Sequence, residues 1–391
     1  MRVVDVCAFY TPLGGGVKTY VERKLLAARP GREEVIVVAP GKRDAVFMRS
    51  AAGRIMTIAA PAFPLDRRYR YFDNEQALHA LLDHLAPDVV EASSPWASAS
   101  MVARWQGPAL KSLVMHADPL AAYAYRWFGG LASRERIDRG FDWFWRHLRR
   151  LDQRFDMVVS ASANLSSRLA GGGLGKVRTI PMGVSPDLFS PSLRDEALRA
   201  RLLARCGLPD NATLLLGLGR LAAEKRWPMV IEAVTAVGYD HPVGLVLLGN
   251  GRQKAAVIRA AANNPHVHLA APISDRHEVA TVLASADALV HGCEAETFCM
   301  VAAEAKASGL PLIVPDEGGA GDQFVPGQGE IYEARSTVEL IKAIHRFIES
   351  GPTAHRMRAA LAAPTARSMD EHFASLFGAY ARSTEGMAHA A

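Results

Sequence analysis

The chain has 391 residues, of which 49% are hydrophobic and 22% are charged, and this balance excludes a disordered chain. The net charge of +5 and the pI near 9.1 are a mild basic excess. Such an excess is compatible with nucleotide sugars, anionic membranes or nucleic acid, and it selects none of them. The length predicts two domains rather than one core.

The N-terminus MRVVDVCAFY has Asp5 inside its apolar run and has no small-residue cleavage site, so we expect a strand there and not a signal peptide. No apolar run approaches the roughly 18 residues that span a bilayer. The cysteines form no Cys-x-x-Cys pair and show no zinc spacing. Their pattern favours reduced thiols in a cytoplasmic protein.

Short apolar runs alternate with helical patterns along the whole chain. Uninterrupted runs of this length predict parallel strands covered on both faces. Two successive sets predict an α/β protein with two doubly wound, Rossmann-like domains. The predicted strands are Val3–Ala8, Val35–Ala39, Val89–Ala92, Leu113–Met115, Met157–Ser160 and Val177–Ile180, then Leu214–Leu218, Leu245–Leu248, Val267–Ala270, Ala288–Val290, Leu312–Val314 and Ile331–Tyr332.

A cluster of glycine and proline from Pro181 to Pro186 follows a predicted strand and marks the domain boundary. We therefore expect an N-terminal domain over 1–183 and a C-terminal domain over 184–369. Ligands of doubly wound sheets bind beyond the carboxyl ends of the strands, so a cleft between the domains is the expected site.

Two features of the first domain lie just past predicted strands. Gly14, Gly15 and Gly16 form a strand-to-helix turn where backbone N–H groups can approach a ligand, although a plain flexible turn has the same composition. No Gly-Lys-Ser/Thr follows, so the turn is not a phosphate-binding Walker loop. His116 follows a buried strand, although a lone histidine is more often structural; the neighbouring Asp118 is close enough in sequence to orient it.

The second domain opens with Leu214–Arg226, which allows two interpretations. Gly217, Gly219 and Ala222 match a loose dinucleotide-binding pattern, but the next strand ends in Leu248-Gly249-Asn250-Gly251 without the acidic residue that binds ribose. The other interpretation is a cationic clamp, in which Arg220 and Lys225 neutralise a diphosphate.

Residues 288–316 form a strand, a polar loop, a helix and a second strand, and they carry two carboxylates, Glu296 and Glu304. A helix that begins near Phe298 offers free N–H groups and a partial positive charge to an anionic ligand. The carboxylates can then accept hydrogen bonds from sugar hydroxyls. The alternative is that Glu304 is a solvated helix residue and Glu296 a charge partner of the helix N-terminus.

The spacing of Glu296, Phe298, Glu304-Ala305 and Gly309-Leu310-Pro311 resembles the donor-site signature of retaining GT-B glycosyltransferases, and the resemblance is closest to glycosyltransferase family 4. The family usually has glycine after the phenylalanine; this chain has Cys299, which narrows the space beside the backbone N–H. Four motifs in the family's order extend the resemblance over nearly the whole chain: Gly14–Val17, His116, Arg220 with Lys225, and Glu296 with Glu304.

The resemblance implies a site at which the domains face each other. It implies catalytic roles for His116, Arg220, Lys225 and Glu296, with Glu296 on sugar hydroxyls and Glu304 on ribose. It also implies that a final helix at about 370–385 packs back on the first domain. The expected donor-binding residues are Gly15, Gly16, Gly219, Gly249, Ile273, Phe298, Cys299, Met300 and Glu304.

Residues 126–154 hold Trp127, Trp143 and Trp145 among eight arginines. Such a segment can contact an anionic membrane, but Asp142 and other acids dilute the charge. Pairs such as Asp142–Arg146 also fit a solvated, salt-bridged helix face. Without an RNA-binding signature, nucleic acid is not an expected partner.

The chain has no Asp-x-Asp triplet to hold a divalent ion on a diphosphate, so we expect Arg220 and Lys225 to replace the metal and expect no cofactor. The expected function is retaining transfer of a hexose from a GDP- or UDP-linked donor to a glycan or lipid-linked acceptor of the cell envelope. The expected location is the cytoplasm, with a peripheral contact at the inner face of the membrane. The alternatives are a nucleotide-sugar 2-epimerase of the same fold and a binding scaffold without turnover.

Overall fold

A computed structural model describes residues 1–11, 16–64, 67, 69–128, 131–185, 187–262 and 264–390. The chain divides into two compact units. The first contains residues 1–120, 127–181 and 370–391, and the second contains 121–126 and 182–369. The division therefore falls two residues before the boundary that the glycine and proline cluster suggests, and the C-terminal segment belongs to the first unit.

The first unit is built on a sheet of eight strands among the described residues. Its strands are parallel except for β3, which runs antiparallel to β4 at the edge. The spatial order is β3-β4-β2-β1-β5-β6-β7-β8, where the strands are β1 (Arg2–Val6), β2 (Glu34–Gly41), β3 (Ala45–Met48), β4 (Gly53–Ala59), β5 (Val89–Ala92), β6 (Leu110–Met115), β7 (Met157–Ser160) and β8 (Val177–Thr179).

Helices connect these strands, and several begin at a side chain that caps the free backbone N–H groups. Asn74 and Ser162 accept hydrogen bonds from Ala77 N (2.9 Å) and Leu165 N (3.0 Å), respectively. A π-helical turn, Leu120–Ala124, precedes α4. The helices are α1 (Gly16–Ala27), α2 (Glu75–Leu85), α3 (Ala97–Arg104), α4 (Tyr125–Phe128), α5 (Arg134–Gly140), α6 (Asp142–Arg154) and α7 (Ala163–Gly171).

Strands β3 and β4 are absent from the strands predicted from the sequence. In β4 the apolar run is interrupted by Arg54 and Thr57, and only Gly53 and Ile55 are buried. Most of β3 is exposed. Uninterrupted apolar runs predict strands covered on both faces, whereas β3 is a mostly exposed edge strand and its neighbour β4 is only partly buried, with an interrupted run.

The second unit has a six-stranded, fully parallel sheet in the order β11-β10-β9-β12-β13-β14. The strands are β9 (Thr213–Leu218), β10 (Val243–Leu248), β11 (Val267–Ala270), β12 (Ala288–Val290), β13 (Leu312–Pro315) and β14 (Gly329–Tyr332). The helices are α8 (Glu196–Arg205), α9 (Trp227–Val237), α10 (Lys254–Ala261), α11 (Arg276–Ser285), α12 (Met300–Ala307), α13 (Gly318–Gly321), α14 (Thr337–Glu349) and α15 (Pro352–Ala362).

The two sheets match the predicted class, a pair of doubly wound α/β units. Apolar side chains on both faces of the second sheet form two clusters, one with α8, α11 and α12 and the other with α9 and α14. This sandwich explains why the strands of the second half appear in the sequence as unbroken apolar runs.

The last helix, α16 (Met369–Ala390), belongs to the first unit from residue 370 onward. Its buried side chains include Phe373, Leu376, Phe377 and Tyr380. The Tyr380 hydroxyl donates to Glu91 Oε2 at 2.7 Å and to Ser112 Oγ at 3.1 Å. The helix is therefore held to β5 and β6 by packing and by a buried hydrogen-bond network.

In the segment rich in tryptophan and arginine, Trp127 lies on α4, and Trp143 and Trp145 lie on α6. Trp127 and Trp143 are exposed, whereas Trp145 is buried and its indole N–H donates to Asp138 Oδ1 at 3.1 Å. Trp145 is thus a core residue and not part of an exposed aromatic face. Asp142 and Arg146 form the ion pair that their spacing predicts, at 3.3 Å. None of the helices in the described ranges is both long enough and apolar enough to cross a membrane.

Candidate active site

The loop after β9 carries the two predicted cations of the second unit in different environments. Arg220 is anchored by its backbone, because its carbonyl accepts the Trp227 indole N–H at 2.9 Å. Its guanidinium is 80% exposed and lies 3.5 Å from Glu224. The Lys225 side chain is only 13% exposed, and its ammonium group binds Glu296. The two cations therefore differ: Arg220 extends into solvent and Lys225 is fixed.

Two predicted donor-binding glycines lie in the loops after β9 and β10. Gly219 has a φ of +153°, a region that favours glycine, and a Cβ there would make only an ordinary contact with Lys225, at 3.8 Å. A Cβ on Gly249 would lie 2.0 Å from the Gly219 carbonyl oxygen. Gly249 is thus required for the close approach of the loops after β9 and β10.

The loop between β12 and α12 presents Glu296 to Lys225. Because β9 and β12 are neighbours in a parallel sheet, the loops at their carboxyl ends meet at the same edge. A Cβ on Gly292 would lie 2.7 Å from the Lys225 carbonyl oxygen, so this glycine permits the contact between the loops. His291, the residue after β12, is buried and places Nε2 at 3.7 Å from Glu296 Oε1.

These contacts determine the protonation states of Lys225, Glu296 and His291. Burial opposes the charge of Glu296, but the Lys225 ammonium and His291 outweigh it and hold the pKa of that carboxyl far below its usual range. Burial also opposes the charge of Lys225, and the attraction of Glu296 reverses this and raises the lysine pKa. Burial lowers the pKa of His291. At neutral pH the group is therefore an ion pair beside a neutral imidazole.

Cys299 adopts a left-handed conformation, with φ of +65°, directly before α12. This geometry favours the glycine that the family usually has there. The thiol is buried 3.6 Å from His291 Nε2, and burial raises its pKa well above its ordinary value. Gln323 holds the strained turn by donating to the Cys299 carbonyl at 3.0 Å and to the Phe298 carbonyl.

A second ion pair lies beside the first and was not anticipated from the sequence. Arg226 follows Lys225 and binds Glu294 through both Nε, at 2.8 Å, and Nη2. Arg226 is also left-handed, with φ of +50°. Two consecutive cations of one loop thus bind two acids of the other, and this double pairing fixes their register. The sequence signal is the matched pattern of Lys225-Arg226 and Glu294-x-Glu296.

Glu304 lies on α12 with a buried carboxylate, which rules out the interpretation as a solvated helix residue. Its Oε1 accepts from Arg276 Nη2 at 2.6 Å. Burial raises the Glu304 pKa, and Arg276 opposes that shift. Arg276 is the first residue of α11, is half exposed and stacks over Phe189 at 5.2 Å. It follows Ile273 in the same connection and was not anticipated.

Among the other predicted donor-binding residues, Phe298 and Ile273 are partly buried against the apolar cluster that contains α12. Met300 opens α12 and is partly exposed. Gly319 N donates to the Glu296 carbonyl at 2.7 Å, and a Cβ on Gly319 would overlap Phe298. Helix α13, which follows β13, therefore supports the loop that carries Glu296.

His116 belongs to the first unit and follows β6. Its ring meets Tyr20 edge to face with centroids 4.6 Å apart, and burial lowers the histidine pKa to about 4. Asp118 binds Arg168 in a bidentate ion pair, at 2.5 and 2.8 Å. Gly16 opens α1 and is exposed, with open space where a Cβ would be. Gly15 and Gly14 lie outside the described residues.

Comparison with solved structures shows the fold. Sucrose-phosphate synthase from Thermosynechococcus elongatus matches with a TM-score of 0.75 and 18% identity, over 99% of this chain and 100% of that one. Anabaena HepE in complex with UDP matches with a TM-score of 0.70 and 15% identity, over 98% and 100%. These matches confirm the expected fold, which is that of GT-B glycosyltransferases.

Sequence comparison then defines the family. Residues 14–188 match the model of Glycosyltransferase Family 4, and residues 200–362 match that of Glycosyl transferases group 1. A GDP-mannose-dependent alpha-(1-6)-phosphatidylinositol dimannoside mannosyltransferase of Mycobacterium tuberculosis is 30% identical over 365 residues, 92% of this chain and 91% of its own. A GDP-mannose-dependent alpha-mannosyltransferase of Corynebacterium glutamicum is 25% identical over 340 residues, 84% and 75%. The chain belongs to glycosyltransferase family 4 and is a glycosyltransferase.

Proposed function

We propose that this protein transfers mannose from GDP-mannose, with retention at the anomeric carbon, to a glycan or lipid-linked acceptor of the cell envelope. The names of the mycobacterial and corynebacterial relatives support the donor. The structural observation that carries the proposal is the fixed Lys225–Glu296 pair beside the exposed Arg220 guanidinium, beyond the carboxyl end of β9.

In this proposal the cations stabilise the leaving group. Lys225 remains charged because Glu296 raises its pKa, and Arg220 adds a planar fork suited to phosphate oxygens. The bond between the anomeric carbon and the diphosphate breaks as the acceptor oxygen bonds to the same face of that carbon. The acceptor proton passes to the departing phosphate, so the reaction needs no protein base and, in our proposal, no metal.

Glu296 is proposed to accept hydrogen bonds from sugar hydroxyls, Glu304 to bind the ribose and His116 to contact the donor sugar. The depressed pKa of Glu296 supports this role, because a carboxyl that stays ionised is a poor proton donor at neutral pH. The same observation disfavours a 2-epimerase, which needs carboxyl groups that exchange protons. The intact set of charged residues disfavours a scaffold without turnover.

A donor screen tests the proposed function. The protein is incubated with labelled GDP-mannose, GDP-glucose, UDP-glucose and UDP-galactose, with a membrane extract as acceptor and with or without EDTA. We expect transfer, or slow hydrolysis, with GDP-mannose, at a rate that EDTA does not change. Preference for a UDP-sugar would refute the donor, and epimerised nucleotide sugar would refute the reaction. Activity lost in EDTA and restored by Mn²⁺ would refute the metal-free mechanism.

We infer that the first unit also touches an anionic membrane, at its cytoplasmic face. The surface involved, here the Trp–Arg face, comprises Trp96, Trp143, Arg146 and Arg150. These residues line a groove of about 520 Å³ on α3 and α6. Both tryptophans are exposed, and Arg146 is 58% exposed. Exposed indoles beside guanidinium groups suit the interface of an anionic bilayer.

Liposome sedimentation tests the membrane contact separately from catalysis. Wild-type protein should sediment with vesicles containing phosphatidylserine at low salt and remain in solution with phosphatidylcholine vesicles. A Trp143→Ser, Arg146→Ser double variant should lose this binding. The matched control is Tyr239→Ser with Arg259→Ser, which removes an exposed ring and an exposed guanidinium from the second unit. Equal sedimentation with both lipids would refute the contact.

A further inference from the structure

A cluster of side chains of the types that bind metal ions lies in the second unit, away from the site described above. His345 and Glu349 stand one turn apart on α14, on the same side of the helix. His241 comes from the connection between α9 and β10. One possible ligand atom from each of these three residues lies within 4.8 Å of the others. Asp240 adds a carboxylate oxygen 3.7 Å from His345 Nε2.

The backbone that carries these side chains is held in place by packing. Helices α9 and α14 share an apolar cluster that includes Val237, Ile344 and Phe347. The His241 amide donates to the Val237 carbonyl at 3.0 Å and so continues the hydrogen bonding of α9 into the turn. The rings of His241 and His345 meet edge to face, with centroids 5.1 Å apart. The ligands therefore start from a preformed arrangement.

The chemistry of the set matches a divalent transition metal. Imidazole nitrogen with carboxylate oxygen is a common donor set for Zn²⁺, with bonds of about 2.0–2.2 Å. The ligand atoms of a tetrahedral ion lie roughly 3.4 Å apart. Modest rotation of the three side chains would bring their ligand atoms from within 4.8 Å of one another to this separation. We propose that His241, His345 and Glu349 form a site for a divalent transition-metal ion, with Asp240 as an additional carboxylate.

The position of the site determines its role. The connection between α9 and β10 enters β10 at its amino end, whereas the loops that carry Arg220 and Glu296 lie at the carboxyl edge of the same sheet. The ion would join α14 to the turn after α9 and stabilise the second unit without touching the donor. His291, Glu296 and Cys299 are also close together, but Lys225 already neutralises that Glu296 carboxylate.

A zinc titration of protein without an affinity tag tests the proposal. Wild-type protein is titrated with ZnCl₂ at pH 7 against a chromophoric chelator, and thermal unfolding is followed with and without the ion. We expect about one strongly bound ion per chain and a higher midpoint of unfolding in zinc. His345→Ala and His241→Ala should each weaken binding at least about 10-fold and remove the zinc-dependent shift, and Glu349→Gln should weaken binding less.

The control is His277→Ala, which removes an exposed histidine from α11 in the same unit. It should bind zinc as the wild type does. The absorption spectrum of added Co²⁺ provides a second readout, because a tetrahedral N/O site gives an intense visible band that an octahedral hydrated ion lacks. The proposal is overturned if wild type binds no zinc, or if the His241 and His345 variants bind it with wild-type affinity.

Discussion

Lys24 and Lys225 both bind carboxylates and both have little solvent exposure, but only the cluster around Lys24 is fully buried. Lys24, on α1, lies 3.0 Å from Asp5 and 2.6 Å from Glu91, and all three side chains are fully buried. Lys225 binds Glu296 with 13% of its own side chain and 24% of the Glu296 side chain still exposed. An ion pair alone does not distinguish a structural charge from a functional one.

The position within each sheet explains the contrast. Asp5 and Glu91 face each other across neighbouring strands β1 and β5, and Ser93 and Tyr380 complete their hydrogen bonds. Lys225 and Glu296 instead lie in loops beyond the carboxyl ends of β9 and β12, where doubly wound sheets bind ligands. The partial exposure of the second cluster permits a ligand to reach it, whereas the first is sealed by α16.

Replacing Lys24 should give the largest effect on stability. Lys24→Ala leaves two neighbouring carboxylates in the interior without a cation, and breaking a buried pair in this way costs about 3–5 kcal/mol. Burial already raises the Glu91 pKa, so we expect the variant to take up a proton at this pair. Urea unfolding at neutral pH measures the loss.

The matched control for this variant is Lys18→Ala, on the same helix and away from the buried pair. Lys18 is partly exposed, so its removal should leave the unfolding midpoint within the small range typical of surface changes. If Lys24→Ala and Lys18→Ala unfold at the same urea concentration, the view that the Lys24 cluster is structural is wrong.

Replacing Lys225 should produce the largest effect on activity. Lys225→Ala removes a cation proposed to stabilise the departing diphosphate, and turnover should fall roughly 10²–10³-fold. The stability loss should be smaller than for Lys24→Ala, because solvent can reach the Glu296 carboxylate that is left unpaired. Steady-state kinetics with the donor identified in the screen, together with urea unfolding, separate the two effects.

Lys254→Ala, an exposed lysine at the start of α10, is the control and should keep wild-type turnover. A Lys225→Ala enzyme with near-normal turnover would reject the cationic clamp. A variant that loses as much stability as Lys24→Ala would instead show that the two lysine clusters are alike.

The sequence predicted most of the strands, because unbroken apolar runs are local patterns. The spacing of Glu296, Phe298 and Glu304 is also a local pattern, and it predicts the loop that we propose as the donor site. The partners of the charges were harder to predict, because ion pairs such as Arg276–Glu304 and Arg226–Glu294 join distant segments. Nothing local distinguishes Asp5, inside an apolar strand, as a partner of Lys24.

His291 shows a further limit of sequence patterns. A single histidine after a strand is indistinguishable from a core residue until the loop brings Glu296 Oε1 and the Cys299 thiol to within 3.7 Å and 3.6 Å of its Nε2. Cys299 illustrates the same point, since its departure from the family's glycine suggested only less space. The structure adds that this cysteine adopts the left-handed conformation and contacts His291.

Replacing Arg220 tests the exposed cation of the proposed diphosphate clamp. Its guanidinium is 80% exposed, so Arg220→Ala should leave the unfolding midpoint unchanged. Since the side chain is proposed to bind the diphosphate in the transition state, kcat/KM should fall roughly 10²-fold. Arg201→Ala, with a side chain that is 63% exposed on α8, is the control and should keep wild-type kinetics. Wild-type kinetics in Arg220→Ala would leave Lys225 as the sole cation of the clamp.

The smallest predicted effect concerns His116 and appears only as a dependence on pH. Burial lowers its pKa from 6.5 to about 4, so between these pH values the unfolded chain binds a proton that the native protein does not. Stability contributed by the neutral imidazole is therefore present above pH 6.5 and is lost as the pH falls toward 4. Stability falls by about 1.4 kcal/mol per pH unit between these values, so roughly 2–3 kcal/mol is lost between pH 6.5 and 4.5.

His116→Gln removes the imidazole that binds this proton in the unfolded chain, and it therefore removes the corresponding part of the pH dependence. The variant also loses the ring contact with Tyr20, but that loss is the same at every pH and shifts the whole curve without changing its slope. The buried His291 also has a lowered pKa, and it contributes equally to both proteins because it lies in the other unit. Urea unfolding between pH 7.5 and 4.5 should therefore show a shallower decline for His116→Gln. Parallel declines would mean that His116 is protonated as readily in the native protein as in the unfolded chain.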